Sequence, residues 1–167
     1  NTDWWNYGGI TRDVKLIVVP EVFINDYSIV LESISSKKVS GKVYLDGGSM
    51  NEEISINIPE LKIKTLAKTD QNGIASFTFL AKKAILWTPD NPVLYRLEIS
   101  TKNDQIIDSI GLRTIDVKSR QVVLNNKPVF LKGISIHEEY AVDGGGRVNE
   151  LREAEQLLDW AKELGCN

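Results

Sequence analysis

The sequence predicts a mainly β protein: an antiparallel two-sheet β-sandwich followed by the opening of a β/α unit. Three observations carry this expectation. Apolar and polar residues alternate in short runs, punctuated by turn residues, as far as about residue 136. These runs follow one another at sandwich spacing, with no helical pattern between them. One amphipathic helical pattern then closes the sequence.

Taken in order, residues 10–19 form the first expected strand. Its second half is almost continuously apolar (Leu16, Ile17, Val18, Val19), and Trp4, Trp5, Tyr7 and Gly8-Gly9 precede it. A lone strand leaves both hydrogen-bonding edges unpaired. It is therefore expected to be the last strand of a preceding domain rather than a member of the sandwich. Residues 27–34, 39–45, 54–58, 61–66, 74–79 and 95–99 alternate and should each bury one face. Ser35-Ser36, Asp46-Gly-Gly48, Asp70-Gln-Asn-Gly73 and Thr88-Pro-Asp-Asn-Pro92 supply the positive φ and proline-fixed φ that turns require. Six or seven strands result, and the expected sandwich covers residues 20–118.

Beyond it, residues 121–124 and 128–131 flank Asn125-Asn-Lys127, which reads as a hairpin turn. Residues 130–136 continue as a strand, and 141–147, with Gly144-Gly-Gly146, form a loop. Val148, Leu151, Ala154, Leu157, Leu158, Ala161 and Leu164 then recur on one face of a helix spanning about 149–164. Asn149 suits the N-cap, Glu150, Glu153 and Glu155 the positive end of the dipole, Lys162 the negative end, and Gly165 the C′ position. Strand, loop and helix open a β/α unit, which needs a second parallel strand after Cys166-Asn167. The expectation is a truncated segment of a larger fold, whose exposed helix stripe is covered by another copy of the chain or by the sandwich.

Composition narrows the function. The chain has 167 residues, 42% of them hydrophobic and 26% charged, enough for about one domain with a core. A net charge of -3 with no basic run speaks against nucleic acid as a partner. No apolar run reaches the roughly 18 residues of a membrane span, so no membrane partner is expected. One Cys and one His cannot build a site of several His and Cys ligands, and no metal site is expected within the chain. Cys166 has no base or cation beside it and reads as a buried, inert thiol. Gly144-Gly-Gly146 leads into Arg147 and lacks the strand-turn-helix fingerprint of a phosphate loop.

The segments Asp3–Val14, Leu86–Tyr95, Gly111–Ile115 and Asn125–Glu138, in this order, together resemble glycoside hydrolase family 2, the group of β-galactosidases, β-glucuronidases and β-mannosidases. Asp3-Trp-Trp-Asn-Tyr-Gly-Gly-Ile-Thr-Arg-Asp-Val14 resembles the end of the family's N-terminal jelly-roll sugar-binding domain. Leu86-Trp-Thr-Pro-Asp-Asn-Pro-Val-Leu-Tyr95 and Gly111-Leu-Arg-Thr-Ile115 resemble segments late in, and leaving, its immunoglobulin-like domain. Asn125-Asn-Lys-Pro-Val-Phe-Leu-Lys-Gly-Ile-Ser-Ile-His-Glu138 resembles the entry into its catalytic TIM barrel.

The resemblance implies three parts: residues 1–19 ending the jelly roll, 20–118 forming the immunoglobulin-like sandwich, and 119–167 starting a truncated barrel. It implies retaining hydrolysis by two glutamates about 5 to 5.5 Å apart. Those glutamates belong to later barrel strands, so this chain is expected to contain no catalytic residue; Glu138 and Glu139 do not match them. The implied substrate contacts are His137, at the C-terminal end of the first barrel strand, and Asp3, reaching the barrel mouth from the jelly roll. An imidazole can donate from one nitrogen and accept at the other, which suits a sugar hydroxyl. Many members carry a basic residue before this histidine, whereas here Ile136 stands there. The implied partner is a carbohydrate substrate of the intact enzyme, ranked galactoside, then glucuronide, then mannoside. A galactosidase-like parent would add sodium or magnesium, with none in this fragment. The compartment stays open, with periplasmic or secreted placed ahead of cytoplasmic. The reading from another class is a free-standing immunoglobulin-like carbohydrate-binding or spacer module.

Overall fold

The structure, a computed structural model, describes residues 9–10, 13–48, 50–137 and 150–167. The chain forms two compact units, Val19–Phe130 and the residues outside that span. Among the described residues of the first unit ten strands follow in order: β1 (Phe23–Ser33), β2 (Lys38–Asp46), β3 (Glu53–Ile58), β4 (Ile63–Lys68), β5 (Ile74–Leu80), β6 (Tyr95–Ser100), β7 (Gln105–Ile110), β8 (Ile115–Lys118), β9 (Gln121–Leu124) and β10 (Lys127–Val129). All pairings are antiparallel. One sheet has the order β1-β2-β5 and the second β4-β3-β6-β7, while β8-β9-β10 form a separate three-stranded meander. The mainly β class with antiparallel sheets is the one the alternating runs predict.

The alternation of β2 shows how sequence becomes packing. Val39, Val43 and Leu45 are buried, while Ser40, Lys42 and Tyr44 face outward. Gly41 stands on the inward side because its paired residue Phe77 needs the space: a Cβ there would run into the Phe77 ring. From the facing sheet, Ile54, Ile56, Ile58, Leu97 and Ile99 are wholly buried, each worth about 1.5–3 kcal/mol of burial. Tyr95 is buried too, and its hydroxyl accepts from the Ile85 N–H at 2.7 Å. Among the described residues no buried side-chain nitrogen or oxygen lacks a partner.

Four local expectations need correction. The strand expected over 61–66 starts at Ile63, because Pro59–Leu61 form a 3-10 turn and Lys62 takes φ 55. Residues 13–20 join no sheet, and Val14, Leu16, Ile17 and Val18 are at least 78% exposed. The stretch 130–136 likewise lies outside any strand. Both are apolar enough for strands, but neither has a ladder partner among the described residues, and apolarity alone does not make a sheet. Strands β7 and β8, which the alternation did not single out, are also present.

In the second unit the helix, α1, spans Leu151–Glu163. Its N-cap is Glu150, one residue later than expected, with the Glu150 N–H donating to the Glu153 carboxylate at 3.2 Å. Gly165 follows at φ +84, the left-handed C′ residue the sequence called for. Only Ala161 is buried on the helix, and Leu151 and Leu158 are 75% and 57% exposed. Asn167 pairs with Lys132: the Lys132 N–H donates to Asn167 Oδ1 at 2.9 Å, and the Asn167 N–H to the Lys132 carbonyl at 3.1 Å. Among the described residues no helix is long and apolar enough to cross a membrane.

Candidate functional site

His137 ends the described stretch after β10 and is exposed. Asp3 lies outside the described residues, as do Trp4, Trp5, Tyr7, Glu138, Glu139 and the glycines 144–146. Cys166 is half-buried rather than buried, and it forms no disulfide. Among the described residues no three His, Cys, Asp or Glu side chains gather as metal ligands.

What the structure does bring together is three of the four family-like segments, at one end of the sandwich. The Trp87 N–H donates to the Leu112 carbonyl at 2.9 Å. The Trp87 ring lies against Gly111, where a Cβ would stand 2.8 Å from it, and the Arg113 guanidinium sits 5.1 Å from the ring centroid. Asn125, in the β9–β10 turn, closes the assembly. Its Nδ2 donates to the Trp87 carbonyl at 2.9 Å, its Oδ1 accepts from the Thr114 N–H at 3.0 Å, and its own N–H donates to the Thr114 carbonyl at 3.0 Å. The sequence alone marks Trp87 as part of a family-like segment and Asn125 as a turn residue. The clue to more was an asparagine, with both a donor and an acceptor, where a glycine would satisfy the turn.

The perturbed ionisable groups lie elsewhere on the sandwich. The Tyr27 hydroxyl on β1 donates to Asp108 on β7, linking the two sheets. Burial, this bond and the negative charges of Asp108 and Asp26 push the Tyr27 hydroxyl up to about 12. The same bond and the Ser109 N–H hold the Asp108 carboxyl below its ordinary value. Glu32 is lowered by Lys38 and Ser40, and Asp70 by the N–H groups of Ile74 and Asn72. These are structural bonds, and none of these carboxylates is paired across a cleft as an acid and a base. Glu32 also borders a shallow hollow of about 550 Å³ on the outer face of β1-β2-β5, shared with Ser28, Lys42, Tyr44, Ser76 and Thr78.

The arrangement defines a class: a two-sheet antiparallel sandwich module followed by a three-stranded meander and a single C-terminal helix. The family model described as glycosyl hydrolases family 2 matches residues 22–114. The chain belongs to that family. A β-glucuronidase of Streptococcus agalactiae is 31% identical over the whole of this chain, which covers 28% of that protein. Human β-glucuronidase is 29% identical over 86% of the chain and 24% of its own length, and a β-galactosidase of Priestia megaterium 27% identical over 85% and 16%. In fold, the chain resembles Bifidobacterium dentium β-glucuronidase solved with coumarin-3-O-glucuronide, with a TM-score of 0.73, 20% identity and coverage of 87% of this chain and 27% of that one. The chain therefore spans less than a third of the relatives it matches.

Proposed function

We propose that this chain is the central part of a retaining β-glycosidase that removes a terminal β-linked sugar. The observation that carries the reading is the alignment of the entire chain, sandwich, meander and helix together, with a β-glucuronidase. On this reading residues 20–118 are the immunoglobulin-like spacer, 1–19 end a sugar-binding domain and 119–167 begin the barrel. The catalytic glutamates belong to the rest of the protein, so the 167 residues alone hydrolyse nothing. Relatives of both specificities match, so glucuronides stand level with galactosides, ahead of mannosides.

His137 and Asp3 are the residues we assign to the sugar. An imidazole can orient a neutral hydroxyl, and a carboxylate can accept from two. The test is hydrolysis by the intact protein of nitrophenyl β-D-glucuronide, β-D-galactoside and β-D-mannoside. One should be turned over, and His137→Ala should lower its kcat/KM by at least about tenfold, the factor that ~1.4 kcal/mol of binding represents. No hydrolysis of any of them would refute the reading.

The hydroxyl-rich hollow on β1-β2-β5 favours a second reading, a carbohydrate-binding module. It requires the isolated chain to bind one of these sugars by calorimetry, and absence of binding removes it.

A further inference from the structure

We propose that Asn125 is a positioning residue: its side-chain amide latches the β9–β10 hairpin, which precedes His137 in the chain, to Trp87 and Thr114 at the sandwich rim. The turn itself does not require this. Asn125 and Asn126 have φ of 50° and 65°, with Leu124 paired to Lys127, the geometry of a two-residue type I′ turn that glycine serves equally well. The amide adds two bonds that the turn does not use, one to Trp87, 38 positions earlier, and one to Thr114, 11 positions earlier.

The chemistry of those partners fixes the amide's orientation. The Trp87 carbonyl can only accept and the Thr114 N–H can only donate, so the amide fits one way round. Neither aspartate nor glycine can replace it. Aspartate would set a carboxylate oxygen against the Trp87 carbonyl, and glycine would keep the turn and lose both bonds. Trp87 is itself held by the Leu112 carbonyl and by contact with Gly111 and Arg113, so the hairpin is tied to a fixed point. From Asn125 the chain runs through β10 to His137 in 12 residues.

The latch is tested in the 167-residue chain by amide hydrogen exchange, independently of any activity. Asn125→Gly and Asn125→Asp should each speed exchange at Val122 and Val129 by about tenfold, which corresponds to ~1.4 kcal/mol. Exchange at Ile56 and Ile99, in the core, should not change. Unaltered exchange at Val122 and Val129 would overturn the latch.

Action through His137 rests on the proposed glycosidase reading and is tested in the intact protein. Asn125→Gly should lower kcat/KM, but in a His137→Ala background it should cost nothing further, because the group it positions is gone. Equal losses in both backgrounds would overturn action through His137. A harmless His137→Ala would instead refute the assignment of His137 to the sugar, and with it the action of Asn125 through that residue, while the exchange experiment still decides the latch.

Discussion

Replacing Gly111 with alanine should destabilise the sandwich through one identifiable contact. The added Cβ would stand 2.8 Å from Trp87 Cδ1, 2.9 Å from Cγ and 3.0 Å from Cβ, about 0.6 Å inside an ordinary 3.4 Å contact. Gly111 is not in the left-handed region, so alanine suffers no backbone penalty and the effect is steric. Overpacking of this size costs about 1–3 kcal/mol. Displacing Trp87 would also weaken the Arg113 contact and the Asn125 bond to its carbonyl, adding about 1 kcal/mol. Urea unfolding of the 167-residue chain, followed by circular dichroism, should give a lower midpoint with an unchanged slope and a loss of about 2–4 kcal/mol. In a Trp87→Leu background the same substitution should cost under about 1 kcal/mol, because the clashing ring is absent. A loss below about 0.5 kcal/mol in the wild-type background, or an equal loss in both, would refute the steric reasoning.

Two further predictions concern charge and association. Asp108 is depressed when folded, so its contribution to stability is present above the ordinary carboxylate range and lost as pH falls through the folded value, below about 4. Tyr27 is raised to about 12, so its contribution is complete below the ordinary tyrosine value of about 10 and is lost as pH climbs from there to the folded value. The urea midpoint difference between wild type and Tyr27→Phe should thus shrink in both windows, and a difference constant with pH would contradict the assignment. Leu151 and Leu158 on α1 are largely exposed, and we expect the isolated chain to self-associate through this stripe. Sedimentation should show species larger than a monomer, and Leu151→Glu with Leu158→Glu should abolish them; a wild-type monomer at every concentration would rule this out.

Which features were legible follows from how local their causes are. Val39, Val43 and Leu45 announced β2 because its period-2 burial is written in nine consecutive residues. Asn125-Asn126 and Gly165 announced their turns because positive φ selects those residue types. Strand β7 was obscured by Ile106 next to Ile107, which blurs the alternation, and β8 by being only four residues long. Residues 13–20 and 130–136 misled for the opposite reason, since their apolarity was real but a strand needs a partner edge that apolarity cannot specify. The junction was invisible because it depends on Trp87, Thr114 and Asn125 meeting from distant positions. Its separate segments were recognisable only as family motifs.

The claim that this chain is part of a retaining β-glycosidase is tested most directly by following the intact protein on a nitrophenyl β-glucuronide and β-galactoside by proton NMR. The first-formed free sugar should be the β anomer, because two successive displacements at the anomeric carbon restore its configuration. Initial release of the α anomer would contradict the retaining mechanism, and release of no sugar at all would contradict the glycosidase.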